Sequence, residues 1–180
     1  MPAAGTQNCT AARRWYELQQ PAVALLPKLN APKIVYPIIA NECRFAIDRH
    51  GYLINDKLFV LPTDDAALVG LLNSRVANFY FSAVCAALEG SGDSYLEFRA
   101  QYVDPFPIPA GLADPQARET LSSLALKNEE LHRRLETERT PHEQTAVARQ
   151  IGVIDRQIDN LVYELFGLTQ KDVRLVEDAA

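Results

Sequence analysis

The stretch SYLEFRAQYVDPFPIP, residues 94–109, is where the chain changes from one architecture to another. From Tyr95 to Tyr102 its aromatic and aliphatic residues are interleaved with charged and amide side chains, a pattern that predicts a β-strand. Three prolines within five residues, the last at Pro109, then stop that strand, because proline cannot donate to a sheet ladder. We therefore place a structural boundary just after this stretch.

The part before the boundary, residues 1–112, predicts an α+β fold. Its strand-like runs are KIVYPII (33–39), RFAID (44–48) and LINDKLFVL (53–61). The sequence DRHG, residues 48–51, has the residue types of a hairpin turn, so we expect the second and third runs to pair with each other. Together the runs predict a small mixed or antiparallel sheet.

One long helix is predicted to pack on that sheet. After the third run the apolar residues recur at the period of a helix. Thr63 or Asp64 would serve as its N-cap and Gly90 as its C-cap. The aromatic residues of the strand that follows are expected to pack inward. Their spacing breaks strict alternation, and a β-bulge is one way to reconcile the two. They are Tyr95, Phe98 and Tyr102.

The part after the boundary, residues 113–180, predicts an antiparallel helical hairpin and one further short helix. Apolar residues recur at intervals of three and four along 121–135 and 147–165, the heptad pattern of packed helices. The connector TERTPHE is short enough to make the helices antiparallel neighbours, and it supplies a capping box at Thr140. Asn128 interrupts the apolar seam, so we expect it to have a polar partner or to lie at a wet edge.

Composition and charge place the chain among soluble globular proteins. No apolar run approaches the ~20 residues of a membrane helix, and we expect neither a membrane partner nor a secretory signal. Cys9, Cys43 and Cys85 are widely spaced, which argues against a zinc site. A reduced, cytoplasmic protein is expected, while a bridge between two of the three stays open. The net charge of −5 counts against a free-standing nucleic-acid binder.

The sequence lacks the motifs that catalysis and cofactor binding commonly use. It contains no GxGxxG, Walker, HExxH or GxSxG sequence. It also lacks the ExK triplet that metal-dependent nucleases place beside clustered carboxylates. The pair Asp64-Asp65 is better explained as helix capping than as a metal site. We therefore expect this chain to catalyse nothing by itself and to bind no cofactor or metal of its own.

The landmarks of the chain come in a recognisable order over about residues 13–178. They are RRWYELQQP, PKIVYP, RFAIDRHGYLINDKLFVLP, LVGLLNSRVANFYF, YLEFRAQYVDPFPIP and IDNLVYELFGLT. This order resembles the TaqI-like C-terminal specificity domain of adenine-specific DNA methyltransferases. It is most similar to the form found in type II G restriction–modification enzymes, which join methylase, nuclease and target recognition in one polypeptide.

The resemblance implies that the α+β part is a target recognition domain that docks in the major groove of double-stranded DNA. It also implies partners: the methyltransferase and nuclease domains of a larger parent enzyme, which use S-adenosylmethionine and Mg²⁺. The Asn/Asp-Pro-Pro-Tyr motif of adenine methylases does not occur in this sequence. The chain is therefore expected to be a non-catalytic fragment, or one chain, of that enzyme.

Polar side chains able to read base edges lie in two segments of the α+β part. Arg, Lys, Asn, Gln, Asp and Glu make such contacts in the major groove. The candidates around the predicted hairpin are Arg44, Arg49, His50, Asn55 and Lys57. The candidates on the later loop and strand are Ser91, Asp93, Glu97, Arg99 and Gln101. Arg99 is the first choice, because its guanidinium is a fork-shaped donor.

Two other functions stay open at this point. In the first, the chain is a structural adaptor or oligomerisation module whose heptad helices pair with another chain. In the second, it is an enzyme without a recognisable motif. DNA binding that depends on sequence would favour recognition, and dimerisation through the helices would favour the adaptor.

Overall fold

The computed structural model describes residues 26–88 and 95–179, and within them it confirms the α+β class. The described strands form two small sheets in which every pairing is antiparallel. The strands are β1 (Lys33–Pro37), β2 (Ile39–Ala40), β3 (Ala46–Asp48), β4 (Leu58–Leu61), β5 (Ala86–Leu88) and β6 (Tyr95–Glu97). The helices are α1 (Leu26–Asn30), α2 (Ala66–Leu72), α3 (Arg75–Val84), α4 (Ala100–Val103), α5 (Pro115–Thr137), α6 (Pro141–Phe166) and α7 (Gln170–Asp178), with a 3₁₀ helix at Ala110–Ala113.

The first sheet has the order β3-β1-β4, so the predicted hairpin between the second and third runs is wrong. Val35 in the central strand lies opposite Ala46 on one side and Val60 on the other. Both edges of β1 are therefore used, and β3 and β4 lie on opposite sides of it. The predicted third strand is also shorter than expected, because residues 53–57 form a loop before β4.

The turn chemistry after β3 shapes a loop instead of a hairpin. The Asp48 carboxylate accepts hydrogen bonds from the backbone N–H groups of His50 (2.8 Å), Gly51 (3.1 Å) and Tyr52 (2.8 Å). Gly51 has φ +72°, and a Cβ there would lie 2.8 Å from the carbonyl oxygen of Asn30. The chain is thus turned away from β3 and cannot pair back onto it.

The second sheet has the order β2-β6-β5, and its central strand is shorter than the predicted strand 95–102. That strand ends at Glu97, and α4 begins at Ala100. Between them Phe98 is 2% exposed, with its ring centroid 5.4 Å from that of Phe81 and 6.4 Å from that of Phe45. Burial of this ring draws the chain out of the sheet.

The expected inward packing of the three aromatic residues is confirmed only in part. Phe98 is buried, and Tyr102 is half-buried against the core. The prediction for Tyr95 is wrong, because its side chain is 41% exposed. The irregular spacing needs no bulge, because the chain changes from strand to helix between Glu97 and Ala100.

The single long helix is in fact two helices, α2 and α3. Asp65, and not Thr63 or Asp64, caps α2 by accepting from the N–H of Ala67. The break follows at Asn73, whose side chain accepts from the N–H of Phe45 (2.9 Å) and donates to its carbonyl (2.8 Å). Ser74 then caps α3, which ends before β5. Gly90 lies outside the described residues.

The helical hairpin of α5 and α6 is confirmed. Its seam is formed by buried residues of both helices: Leu121, Leu131, Val147, Ile151, Ile154 and Ile158. The Asn128 amide donates to the Asp155 carboxylate, so the polar partner expected for this seam residue is present.

The caps of the hairpin differ from the prediction in one respect. Thr140 accepts from the N–H of Glu143 at 3.2 Å and caps α6, but the reciprocal capping box is found at Thr169 and Asp172. That box starts α7, the further short helix that the sequence predicts. Gly167 ends α6 with φ +65°.

One hydrophobic cluster includes residues from both sides of the proline run. Helix α2 approaches α5 closely, and a Cβ on Gly70 would lie 3.0 Å from the Leu121 side chain. Asp159 of α6 is buried and accepts from the N–H of Arg75 at the start of α3 (2.8 Å). The hairpin therefore supports the α+β part, while the domain division at residue 112 stays a prediction.

Candidate nucleic-acid interface

The two sheets meet at residues 38–39, where the chain leaves β1 and enters β2. The N–H of Ile38 donates to the carbonyl of Lys57 (2.9 Å), and its own carbonyl accepts from the N–H of Phe98 (2.6 Å). Segments that are far apart in the sequence thus flank the same two residues. We call residues 38–39 the sheet junction.

Two of the predicted DNA-contacting residues pair with the sheet junction, and two more lie two residues from these. Lys57 bonds to it through its carbonyl, and Asn55 lies two residues earlier, where its Oδ1 accepts from the N–H of Lys57 (3.0 Å). On the other side Glu97 pairs with Ile39 in the second sheet, and Arg99 follows two residues later. Strand register therefore brings the two predicted segments together here.

A fifth predicted residue, Arg44, lies toward the same end of the first sheet. It precedes β3, whose first residue Ala46 is opposite Val35 near the end of β1. Its side chain is 58% exposed. The five residues around the sheet junction, which we call the junction set, are Arg44, Asn55, Lys57, Glu97 and Arg99.

Arg49 and His50 lie at the opposite end of the first sheet. They follow Asp48, which pairs with Lys33 at the first residue of β1. A five-residue strand spans roughly 13 Å from its first to its last Cα, so these two residues are well separated from the junction set. Arg49 donates to both carboxylate oxygens of Glu129 on α5, at 2.9 and 3.1 Å.

The remaining candidates have other placements. Gln101 is exposed, and it lies on α4 instead of the predicted strand. Ser91 and Asp93 lie outside the described residues.

Each cation of the junction set is paired with a carboxylate that precedes it by one or two residues. The pairs are Arg44 with Glu42 (3.0 Å), Lys57 with Asp56 (3.0 Å) and Arg99 with Glu97 (2.7 Å). Sequence reasoning missed Glu42 and Asp56, although their position just before a candidate cation was a usable signal. The surface is therefore polar and strongly charged, yet locally neutral.

The pairing changes the acidity of the groups involved. The hydrogen bond from Arg99 lowers the pKa of Glu97 below its usual value, and the same bond raises the pKa of Arg99. The hydrogen bond from Lys57 likewise lowers the pKa of Asp56. The carboxylates of Glu97 and Asp56 and the guanidinium of Arg99 are therefore charged at neutral pH.

Arg99 lies in the turn that joins β6 to α4, and not on a strand as predicted. It is the N-cap residue of α4, with φ −80° and ψ 153°, and its side chain makes no capping hydrogen bond. The Arg99 side chain is 58% exposed, whereas the Glu97 side chain that binds it is only 19% exposed. A comparatively fixed carboxylate thus orients an exposed, fork-shaped donor.

One face of the second sheet beside the junction set is apolar and exposed. Ile39 lies opposite Glu97, and Leu88 lies opposite Tyr95, which shares a face with Glu97 because it is two residues away. Ile39 is 50% exposed and Leu88 37%. Apolar side chains can contact thymine methyl groups in the major groove. Sequence reasoning missed this face, because it placed Leu88 inside a helix and Tyr95 in the core.

A buried ion pair fixes the loop that carries Arg49 and His50. The Lys33 ammonium is 0% exposed and donates to the Asp48 carboxylate and to the carbonyl of Leu29 (2.6 Å). The hydrogen bond from Lys33, together with the backbone donors of the loop, holds the pKa of Asp48 below its ordinary value.

The His, Cys, Asp and Glu side chains of the described residues are scattered, and the two cysteines among them are buried. Among residues 26–88 and 95–179 no three His, Cys, Asp or Glu side chains cluster as a metal site. Cys43 and Cys85 are buried free thiols, and burial raises the pKa of Cys85 to about 11. Cys9 lies outside the described residues.

Comparison with known families decides what kind of domain carries this surface. Residues 3–108 match the model of the TaqI-like C-terminal specificity domain. The chain belongs to this family. The match spans the junction set and both sheets, and it confirms the resemblance seen in the sequence. A search among curated proteins found no match to the chain.

Membership in the TaqI-like family identifies a DNA target-specificity domain of the restriction–modification type. Domains of this kind are generally non-catalytic. No helix among the described residues is both long enough and apolar enough to cross a membrane.

Proposed function

We propose that this chain recognises the DNA target of a larger restriction–modification enzyme of type II G and contributes no catalysis itself. The single observation that carries the proposal is the gathering of the junction set on a chain of the TaqI-like specificity family. Its members come from three separate segments and offer donors and acceptors of the kinds that base edges require. The methyltransferase and nuclease domains that use S-adenosylmethionine and Mg²⁺ would belong to the parent enzyme.

The proposal gives the two ends of the first sheet different roles. Base contacts set sequence preference, and phosphate contacts set affinity and its dependence on salt. We assign base reading to the junction set, where Arg99 projects beside the apolar face of Ile39 and Tyr95. Arg49 and His50, at the far end, would contact the DNA backbone or a neighbouring domain.

Substitution of Arg99 tests the proposal. Duplexes retained by the chain from a randomised pool are sequenced, and the salt dependence of binding is measured in parallel. With Arg99→Ala we expect preference at one base position to fall roughly 5- to 150-fold, while the salt dependence changes little. Arg149→Ala, an exposed cation of α6 without an ion-pair partner among the described residues, is the control and should change neither quantity.

An unchanged preference with Arg99→Ala would make Arg99 a surface charge only. If substitutions throughout the junction set also leave the preference unchanged, this surface does not contact the bases.

A second candidate function, that of an adaptor, is favoured by one observation on the hairpin. Val153 of α6 is 45% exposed and borders a groove between α5 and α6 that Leu131 and Ile154 also line. Such a groove could receive a helix of another chain. Dimerisation of the full chain that is lost with Val153→Glu, but is retained with Arg99→Ala, would favour this function.

A further inference from the structure

The three cations of the junction set are paired although free cations are common elsewhere on the chain. Lys127, Arg133 and Arg149 on the hairpin are exposed and have no ion-pair partner among residues 26–88 and 95–179. Yet residues 113–180 hold 13 acidic side chains and residues 1–112 only 10. Ion pairs occur elsewhere in the described residues too, for example Arg49 with Glu129 and Arg75 with Asp159, but those partners are far apart in the sequence. What distinguishes the three junction pairs is that each carboxylate lies within two residues of its cation in the sequence.

The three pairs are also local in the sequence, and those of Arg44 and Lys57 are open to solvent on both sides. In each one the acid precedes the cation by one or two residues, so the carboxylate stays within reach of the cation whenever the pair opens. Arg44 and Lys57 are 58% and 77% exposed in their pairs. Exposed ion pairs are weak and readily exchange partners. They add little to folding, but a phosphate that approaches the cation must first displace a carboxylate that is always present.

We infer that Glu42, Asp56 and Glu97 act as built-in competitors that keep the junction cations off non-target DNA. This inference rests on the proposed function of the junction set. Non-specific binding depends on free cations that neutralise phosphates and release counterions. A carboxylate at 2.7–3.0 Å cancels most of that attraction, because the pair as a whole carries no net charge.

A target sequence differs from a phosphate because it can satisfy both members of a pair. A guanine edge accepts from a guanidinium, and the amino group of a neighbouring cytosine donates to a carboxylate. Opening the pair is then compensated on both sides only where the bases are correct. The acids thereby increase the ratio of target to non-target binding, which is the quantity that specificity requires.

The test uses the full chain with the double variant Glu42→Gln and Asp56→Asn. Glu42 and Asp56 lie outside the junction set, and the measurement uses non-target DNA, on which the two carboxylates act only as competitors. The matched control is Glu130→Gln with Glu136→Gln, which changes the net charge equally on exposed residues of α5. Affinity for a random-sequence duplex and its salt dependence are measured by fluorescence anisotropy.

We expect the junction variant to bind the random duplex roughly 3- to 25-fold more tightly than the unsubstituted chain. The slope of log affinity against log salt should steepen by up to about 1.8, the value for two additional phosphate contacts. The control should change affinity less than threefold.

If the junction variant and the control gain the same affinity for the random duplex, the gain is due to net charge alone and the inference is overturned. The inference is also overturned if the junction variant gains no affinity. Failure of the proposed function gives a different result, which a triple substitution of Arg44, Lys57 and Arg99 by Ala detects. If the junction set does not bind DNA, this triple variant keeps the affinity and the sequence preference of the unsubstituted chain. That outcome does not depend on the affinities of the two acid variants.

Discussion

Lys33 and Asp48 form a buried ion pair, and removing Asp48 should lower the free energy of unfolding more than removing Lys33 does. Asp48→Ala leaves the fully buried Lys33 ammonium with only the carbonyl of Leu29 as a partner. It also removes the acceptor for three backbone N–H groups of the loop 50–52. Breaking a buried pair from one side costs about 3–5 kcal/mol, so the free energy of unfolding should fall by this amount.

Lys33→Met should be the milder change. The Asp48 carboxylate keeps its three backbone donors, and the methionine fills much of the same volume. We expect a loss of about 1–3 kcal/mol, the range for leaving one buried polar group without its partner. The double variant should lose less than the sum of the single losses, because each single variant already breaks the same contact. Asp56→Ala, an exposed carboxylate of the following loop, is the control for stability.

The pH dependence of the pair has a defined sign. The folded-state pKa of Asp48 lies below its ordinary value of 3.8. Its contribution to stability is therefore fully present above pH 3.8 and is lost as the pH falls through the lower folded-state pKa. The stability difference between the unsubstituted chain and Asp48→Ala should be constant near neutrality and narrow below pH 3.8.

Urea denaturation followed by circular dichroism, at pH 7 and in steps down to pH 3, measures these quantities. If Lys33→Met costs as much as Asp48→Ala, or if the two losses simply add, the loop is not organised by this carboxylate. A stability difference that does not change with pH would contradict the assigned pKa direction.

The remaining predictions concern the hairpin and catalysis. Ile158→Ala should lower the free energy of unfolding by about 2–5 kcal/mol, because the side chain is 6% exposed in the seam. Gln157→Ala, its exposed neighbour, should leave the denaturation midpoint nearly unchanged, and equal midpoints for the two variants would mean that the buried face is misassigned. Incubated with DNA, Mg²⁺ and tritiated S-adenosylmethionine, the chain should transfer no label and cut no DNA; activity above background would refute its assignment as a recognition part only.

Local patterns in the sequence were sufficient for the elements whose neighbours are close in the chain. The heptad spacing of 121–135 and 147–165 predicts α5 and α6, and their short connector makes them antiparallel. Asn128 was expected to find a polar partner, and Asp155 supplies it. These features follow from residues a few positions apart on one helix or across one short turn.

Features that depend on distant residues were not predictable in the same way. The long helix breaks because the side chain of Asn73 bonds to the backbone of Phe45, 28 positions earlier. The strand 95–102 stops at Glu97 because the ring of Phe98 enters an aromatic cluster with Phe81. In neither case does the local pattern contain the residue that decides the outcome.

The candidate site shows the same division. The sequence determined the α+β class, the helical hairpin, the family and most of the polar residues that could contact DNA, because side-chain chemistry and short-range periodicity are properties of the chain itself. Only the tertiary structure decided that Arg44, Lys57 and Arg99 share the sheet junction while Arg49 pairs with Glu129 at the other end. The physical reason is that both edges of β1 must be hydrogen-bonded to other strands. Strand order and register therefore depend on residues far apart in the sequence.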